Sequence, residues 1–153
     1  MRCPLLVTSI GAMLLLAGCQ SMMHPGSSSL AYVEIANTSL ESIRLTAVRI
    51  FAAEHYELLS SNVREMVFVR EGTRYDRLQY GRYEERLQMK VVVTLEPFGE
   101  NRTLVRADAY AVRGGSDFGE LKLLRIARRP YQKLLDEVKA FSQLNREVHH
   151  IVE

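Results

Sequence analysis

Residues 73–86, TRYDRLQYGRYEER, interleave aromatic and basic side chains as Arg74, Tyr75, Arg77, Tyr80, Arg82 and Tyr83. Tyrosine faces and guanidinium forks together can stack on flat groups and grip phosphates, which in a nucleic-acid binder means bases and backbone. In another setting the same chemistry meets sugars, lipid phosphates or an acidic partner surface. A structural reading competes with these. The stretch is then a partly helical connection, its tyrosines covering a sheet edge and its arginines paired with Asp76, Glu84 and Glu85. On either reading these six residues form the candidate contact surface.

Catalytic chemistry has fewer footholds. Of the four histidines, only His55 falls in an expected element, near the end of a first helix, where a cation complements the dipole. One such residue is thin support for a Ser-His-Asp arrangement. His149 and His150 are adjacent but have no further ligands, and His24 stands beside two methionines in a polar run, so no metal or cofactor is expected. Glu84 and Glu85 would diverge on a helix or a strand, which leaves no paired-carboxylate mechanism. Walker, dinucleotide and metalloprotease motifs are missing. The expectation is a non-enzymatic protein. A net charge of +2 gives no reason to propose nucleic acid as a partner. Sixteen of the 20 basic residues are arginine, which suits bidentate contacts but equally suits a GC-rich genome.

The elements that must position these residues read as α+β, an antiparallel sheet of about four strands packed against two helices. A helix is expected over about Leu40 to His55, with Thr38 and Glu41 as a capping box. Leu40, Ile43, Ala47, Ile50 and Phe51 recur on one face, widened by Leu45 and Val48. Strands Tyr56 to Ser60 and Arg64 to Arg70 flank a turn at Ser61-Asn62. Residues 86–96 alternate, with Leu87, Met89, Val91, Val93 and Leu95 inward. Residues 102–113 put Val105, Ala107, Ala109 and Ala111 on one small face. That face admits a closely packed helix or, alternatively, a shallow ligand groove. Residues 118–128 fit helix or strand. Pro130 opens a final helix with Tyr131, Leu134, Leu135, Val138 and Phe141 on its stripe, and residues 146–153 read as a frayed tail. The sequons at Asn37 and Asn101 match a glycosylation pattern without implying its use.

The amino-terminal stretch has its own logic. A short basic start at Met1-Arg2 precedes a mostly apolar run from Leu5 to Ala17, too short to span a bilayer. Leu16-Ala17-Gly18-Cys19 resembles the lipobox of bacterial lipoproteins. The resemblance implies cleavage of residues 1–18, a lipid on Cys19 and a membrane anchor of two or three acyl chains, palmitate among the plausible ones. Cys3 would leave with the signal peptide, so the mature chain could form no internal disulfide. Gln20, by analogy within the family, implies the outer membrane facing the periplasm. Residues 19–30 then form a lipidated tether, QSMMHPGSSS being polar and broken by Pro25 and Gly26, and residues 31–145 a single domain.

Two further resemblances concern the domain. FAAEHYELLSSNVREMVFVREG, residues 51–72, is similar to a helix-to-strand pattern in small uncharacterised bacterial lipoproteins. The order of elements over residues 38–142 resembles helix-plus-antiparallel-sheet accessory lipoproteins of the outer-membrane protein assembly machinery. Both imply a lipid-anchored interaction or accessory module with an envelope protein partner. The alternative is a small-molecule or lipid-binding domain with its pocket between the first helix and the sheet. Oligomeric state is not legible.

Overall fold

Leu87, Met89, Val91, Val93 and Leu95 do what their period of two demands. All five are buried on one face of a strand running Leu87–Pro97. The computed structural model describes residues 28–81, 86–114 and 119–151, with side chains beyond Leu144 excepted. Its elements are β1 (Ala31–Ala36), α1 (Leu40–Ala53), β2 (Glu57–Ser61), β3 (Glu65–Glu71), α2 (Arg74–Tyr80), β4 (Leu87–Pro97), β5 (Arg102–Arg113), β6 (Glu120–Lys122), a 3-10 turn (Arg125–Ala127) and α3 (Arg128–Ile151). The α+β class holds, with six strands and three helices among the described residues where about four and two are expected.

The strands form one antiparallel sheet in the order β1-β5-β4-β3-β2, and β6 pairs with β5 in line with β1. Helices α1 and α3 pack together, and α3 lies across β1 and β5. Beneath them Val105, Ala107, Ala109 and Ala111 have no exposed surface. The small face therefore serves close approach of a helix. The opposite face of the sheet is polar, crossed by ion pairs such as Lys90–Glu120 at 2.6 Å and Arg106–Glu96 at 3.1 Å. β2 is a fully exposed edge strand whose pairing with β3 shifts register between Leu58 and Ser60. Such an irregularity blunts an open edge.

Several local expectations need correction. The sequence does not announce β1, because six alternating residues after a polar run carry little signal of their own. The α1 cap is Ser39, whose hydroxyl accepts from the Ser42 amide at 3.2 Å. Thr38 lies one residue too early, and its hydroxyl donates to the Ala36 carbonyl instead. Leu45 is exposed, while Thr46 takes a buried place. Residues 120–127 divide between β6 and the 3-10 turn, so helix α3 begins at Arg128 and Pro130 is its third residue. On α3 Phe141 is exposed and Ser142 is buried, and the backbone stays helical to Ile151 where a frayed tail was expected. Among the described residues no helix is long and apolar enough to cross a membrane.

Left-handed backbone explains three polar residues. Asn37 and Asn101 have φ of 54° and 53°, and the Asn37 amide donates to the Asn101 carbonyl at 2.6 Å. Asparagine tolerates this conformation better than most side chains. His55, at φ 63°, ends α1. Its amide donates to the Ala52 carbonyl and the Tyr56 amide to that of Phe51, the paired bonds of a Schellman motif. The Phe51 ring meets Tyr56 edge-on at 5.5 Å and stacks on Phe68 at 4.3 Å. That aromatic column ties α1 to β3.

Candidate functional site

Where α1 ends, β3 also ends, and the chain must turn into α2. Gly72 makes the turn. Its amide donates to the Leu87 carbonyl at 2.8 Å, and a Cβ there would sit 3.0 Å from the Leu87 side chain. Thr73 then caps α2. Its hydroxyl accepts from the Asp76 amide at 3.2 Å, and Asp76 Oδ2 accepts from the Thr73 amide at 2.9 Å. This reciprocal pair is a capping box, at α2 and not at α1. The Arg113 guanidinium donates to the Tyr80 carbonyl at 2.7 Å and fastens the other end of α2 to β5.

Between the end of α1, α2 and the start of α3 lies an open cleft of about 1060 Å³. Its floor is polar but ordered. Arg70 follows Met66 and Phe68 on the inward register of β3 and stands opposite Met89. It donates to Asp76 Oδ2 at 2.9 Å and lies 5.1 Å from the centre of the Tyr56 ring. A guanidinium placed there exchanges water for a carboxylate and a ring face. Tyr131, from α3, faces Tyr56. Burial lifts both phenols above the ordinary tyrosine range; Tyr56 lifts Tyr131 further, whereas Arg70 and the hydrogen bond with Tyr131 pull Tyr56 partly back. Tyr80 is shifted up as well, by burial and then by Asp76. Both core phenols therefore stay neutral donors well above neutral pH.

The sequence-derived contact residues divide. Tyr75 is 70% exposed on the cleft wall, and Tyr80 is half-buried against the core and also lines the cleft. Arg77 pairs with Glu71 at 2.7 Å and donates to the Gly72 carbonyl, so it braces the turn. Arg74 is exposed but does not line the cleft. Arg82, Tyr83 and Cys19 lie outside the described residues. The partly helical connection is thus correct for α2, while Asp76 pairs with Arg70 of β3 and not with an arginine of its own run.

Tyr56, Arg70 and Tyr131 are not candidate contact residues on the sequence alone. Arg70 carried a signal, since it continues the inward alternation of Met66 and Phe68 with a charge. Tyr131 gave none beyond its place on a helical stripe. Glu54, Glu57, Glu71, Asp76 and Glu137 contribute carboxylates to the cleft, against the permanent cations of Arg70 and Lys133. Asp76 is taken by Arg70, Glu71 by Arg77, and Glu137 pairs with Lys133 at 3.6 Å, which leaves Glu54 and Glu57. The surplus is acidic, and it borders tyrosine. Compared with known proteins, the chain matches no protein-family model and no curated protein.

Proposed function

We propose that this chain is a lipid-anchored, non-enzymatic interaction module of the cell envelope, held at the outer membrane through Cys19 and facing the periplasm. One observation carries the docking role. The cleft is open, lined by Tyr56, Tyr75, Tyr80 and Tyr131, and richer in carboxylates than in cations. Tyrosine is enriched at protein interfaces, where it offers a large rigid surface with a polar tip. The acidic surplus favours a basic segment of a partner protein through charge complementarity and cation–π contact. The anchor rests on the lipobox resemblance at residues 16–19. The rival reading, a ligand beneath the first helix, is weakened by the buried small face of β5.

The test is photo-crosslinking in cells with a probe at Tyr75, read by mass spectrometry. One dominant envelope protein should be captured, and charge reversal at Glu54→Lys and Glu57→Lys should abolish the capture. Both residues are exposed, so the fold should survive the change. Crosslinks to lipid alone, or to nothing, would sink the docking role.

A further inference from the structure

The corner formed by the 3-10 turn and the first residues of α3 exposes an unusual combination. Leu123 is buried and pins the segment to the core, but Leu124 is 75% exposed and Ile126 is 88% exposed. Arg125 lies between them in sequence, and Arg128 and Arg129 follow after Ala127. Ile126, these arginines and Lys133 surround a shallow hollow of about 470 Å³, in which Asp136 is the one carboxylate among the described residues. Asp136 accepts from the Gln132 side-chain amide at 3.0 Å. Single exposed leucines need no explanation. Two branched aliphatics projecting among several cations match the chemistry of an interfacial membrane contact, in which apolar tips enter the headgroup boundary and the cations meet anionic lipid.

A second observation is independent of composition. β1 and β6 share one edge of β5, and the chain enters the fold at the seam between them. The Leu30 amide donates to Asp108 Oδ1 at 3.1 Å, and the Leu123 amide donates to the Ala109 carbonyl at 2.8 Å. The first residues of the fold and the exposed corner therefore adjoin consecutive residues of β5. Arg128 lies 5.7 Å from the centre of the Tyr32 ring, and the Gln132 amide donates to the Tyr32 carbonyl at 2.9 Å, so the corner is fastened to β1 itself. The chain from Cys19 to Leu30 reaches at most about 40 Å when fully extended. An anchor at Cys19 would tether the domain by this end, which brings the corner within reach of the bilayer.

We propose that Leu124, Ile126 and the surrounding Arg125, Arg128 and Arg129 seat this corner on the anionic phospholipid surface that carries the chain's own anchor. The inference rests on the anchored reading for its geometry. It also gives the acidic cleft a setting, since Ile126 borders both and a partner held there would meet the module at the membrane surface.

The test uses the unlipidated chain from residue 20 onward, which keeps every described residue of the fold. It is sedimented with vesicles of phosphatidylcholine alone, or of phosphatidylcholine mixed with phosphatidylglycerol. Binding should require phosphatidylglycerol and weaken with salt. Arg125→Gln with Arg129→Gln should lower it about fivefold per residue removed. Leu124→Ser with Ile126→Ser, at positions already exposed, should lower it without changing the unfolding midpoint. Equal binding to both vesicles, no binding, or variants that bind as well as the parent would overturn the proposal. The mass of the Cys19 peptide from the native protein decides the anchor separately. An unmodified Cys19 overturns the anchored reading, while the vesicle result still judges the surface.

Discussion

Arg70 Nη1 lies 2.9 Å from Asp76 Oδ2, joining the end of β3 to the first turn of α2 across the floor of the cleft. The same oxygen accepts from the amide and the hydroxyl of Thr73. Both side chains of the ion pair are largely buried, with 18% and 11% of their surface exposed. One carboxylate thus neutralises an inward arginine and starts a helix.

Replacing Asp76 with alanine removes both roles and leaves a buried cation unpaired. The expected loss is about 3 kcal/mol of folding stability, read as a lower urea midpoint with an unchanged slope. Asp76→Asn keeps an acceptor and should cost less. A loss within about 1 kcal/mol for the alanine variant would place the pair among ordinary surface bridges and contradict its structural role.

Alkaline pH should unfold this domain through Tyr131 and Tyr56. Burial raises both phenols in the folded state, whereas in the unfolded chain they ionise near pH 10. Their contribution is fully present below about pH 10 and is lost as pH rises above it, because the unfolded state then holds fewer protons. The slope is about 1.4 kcal/mol per pH unit for each phenol. Urea unfolding from about pH 8 to about pH 11 should show this decline, and Tyr131→Phe should flatten it. An unchanged slope in that variant would show that Tyr131 is not a titrating contributor.

His55 occupies a left-handed position that costs a side chain dearly. His55→Gly should stabilise the domain by about 0.5 to 1 kcal/mol, raising the thermal midpoint by a few degrees. His55→Val should lower it. Equal midpoints for the two variants would mean that the backbone there is not left-handed in solution.

The packing of α3 on β5 can be tested at Ala109. Leucine at this fully buried position has no space to fill and should destabilise by at least about 1 to 3 kcal/mol. A ligand hollow beneath the helix would accept the added carbons, and the variant would unfold at the parent's urea concentration.

Much of this architecture was legible because antiparallel strands with one wet face must alternate. β4 and the alanine face of β5 could be read residue by residue, and so could most of the α3 stripe. Boundaries and margins were not legible. Phe141 satisfies the helical spacing as well as Leu135 does, yet it is exposed and Ser142 is the buried neighbour. Thr38 with Glu41 has the spacing of a capping box, but only the residue directly before the first helical turn can cap it. That residue is Ser39.

By itself the sequence determined the α+β class, the inward face of each long strand and the chemistry available to a surface. The resemblance at residues 16–19 lies in consecutive residues and depends on no contact between distant segments. The tertiary structure alone decided what those residues face. Tyr56, Arg70, Asp76 and Tyr131 come from α1's end, β3, α2 and α3, and only the strand order brings them together. β1 acquires its meaning from β5, 71 positions later at the Ala31–Arg102 offset of their first residues, because strand pairing is a contact between distant segments. The exposed Leu124 and Ile126 follow the same rule. Their types were visible in the chain, but their exposure depends on Leu123 taking the buried place between them and the sheet.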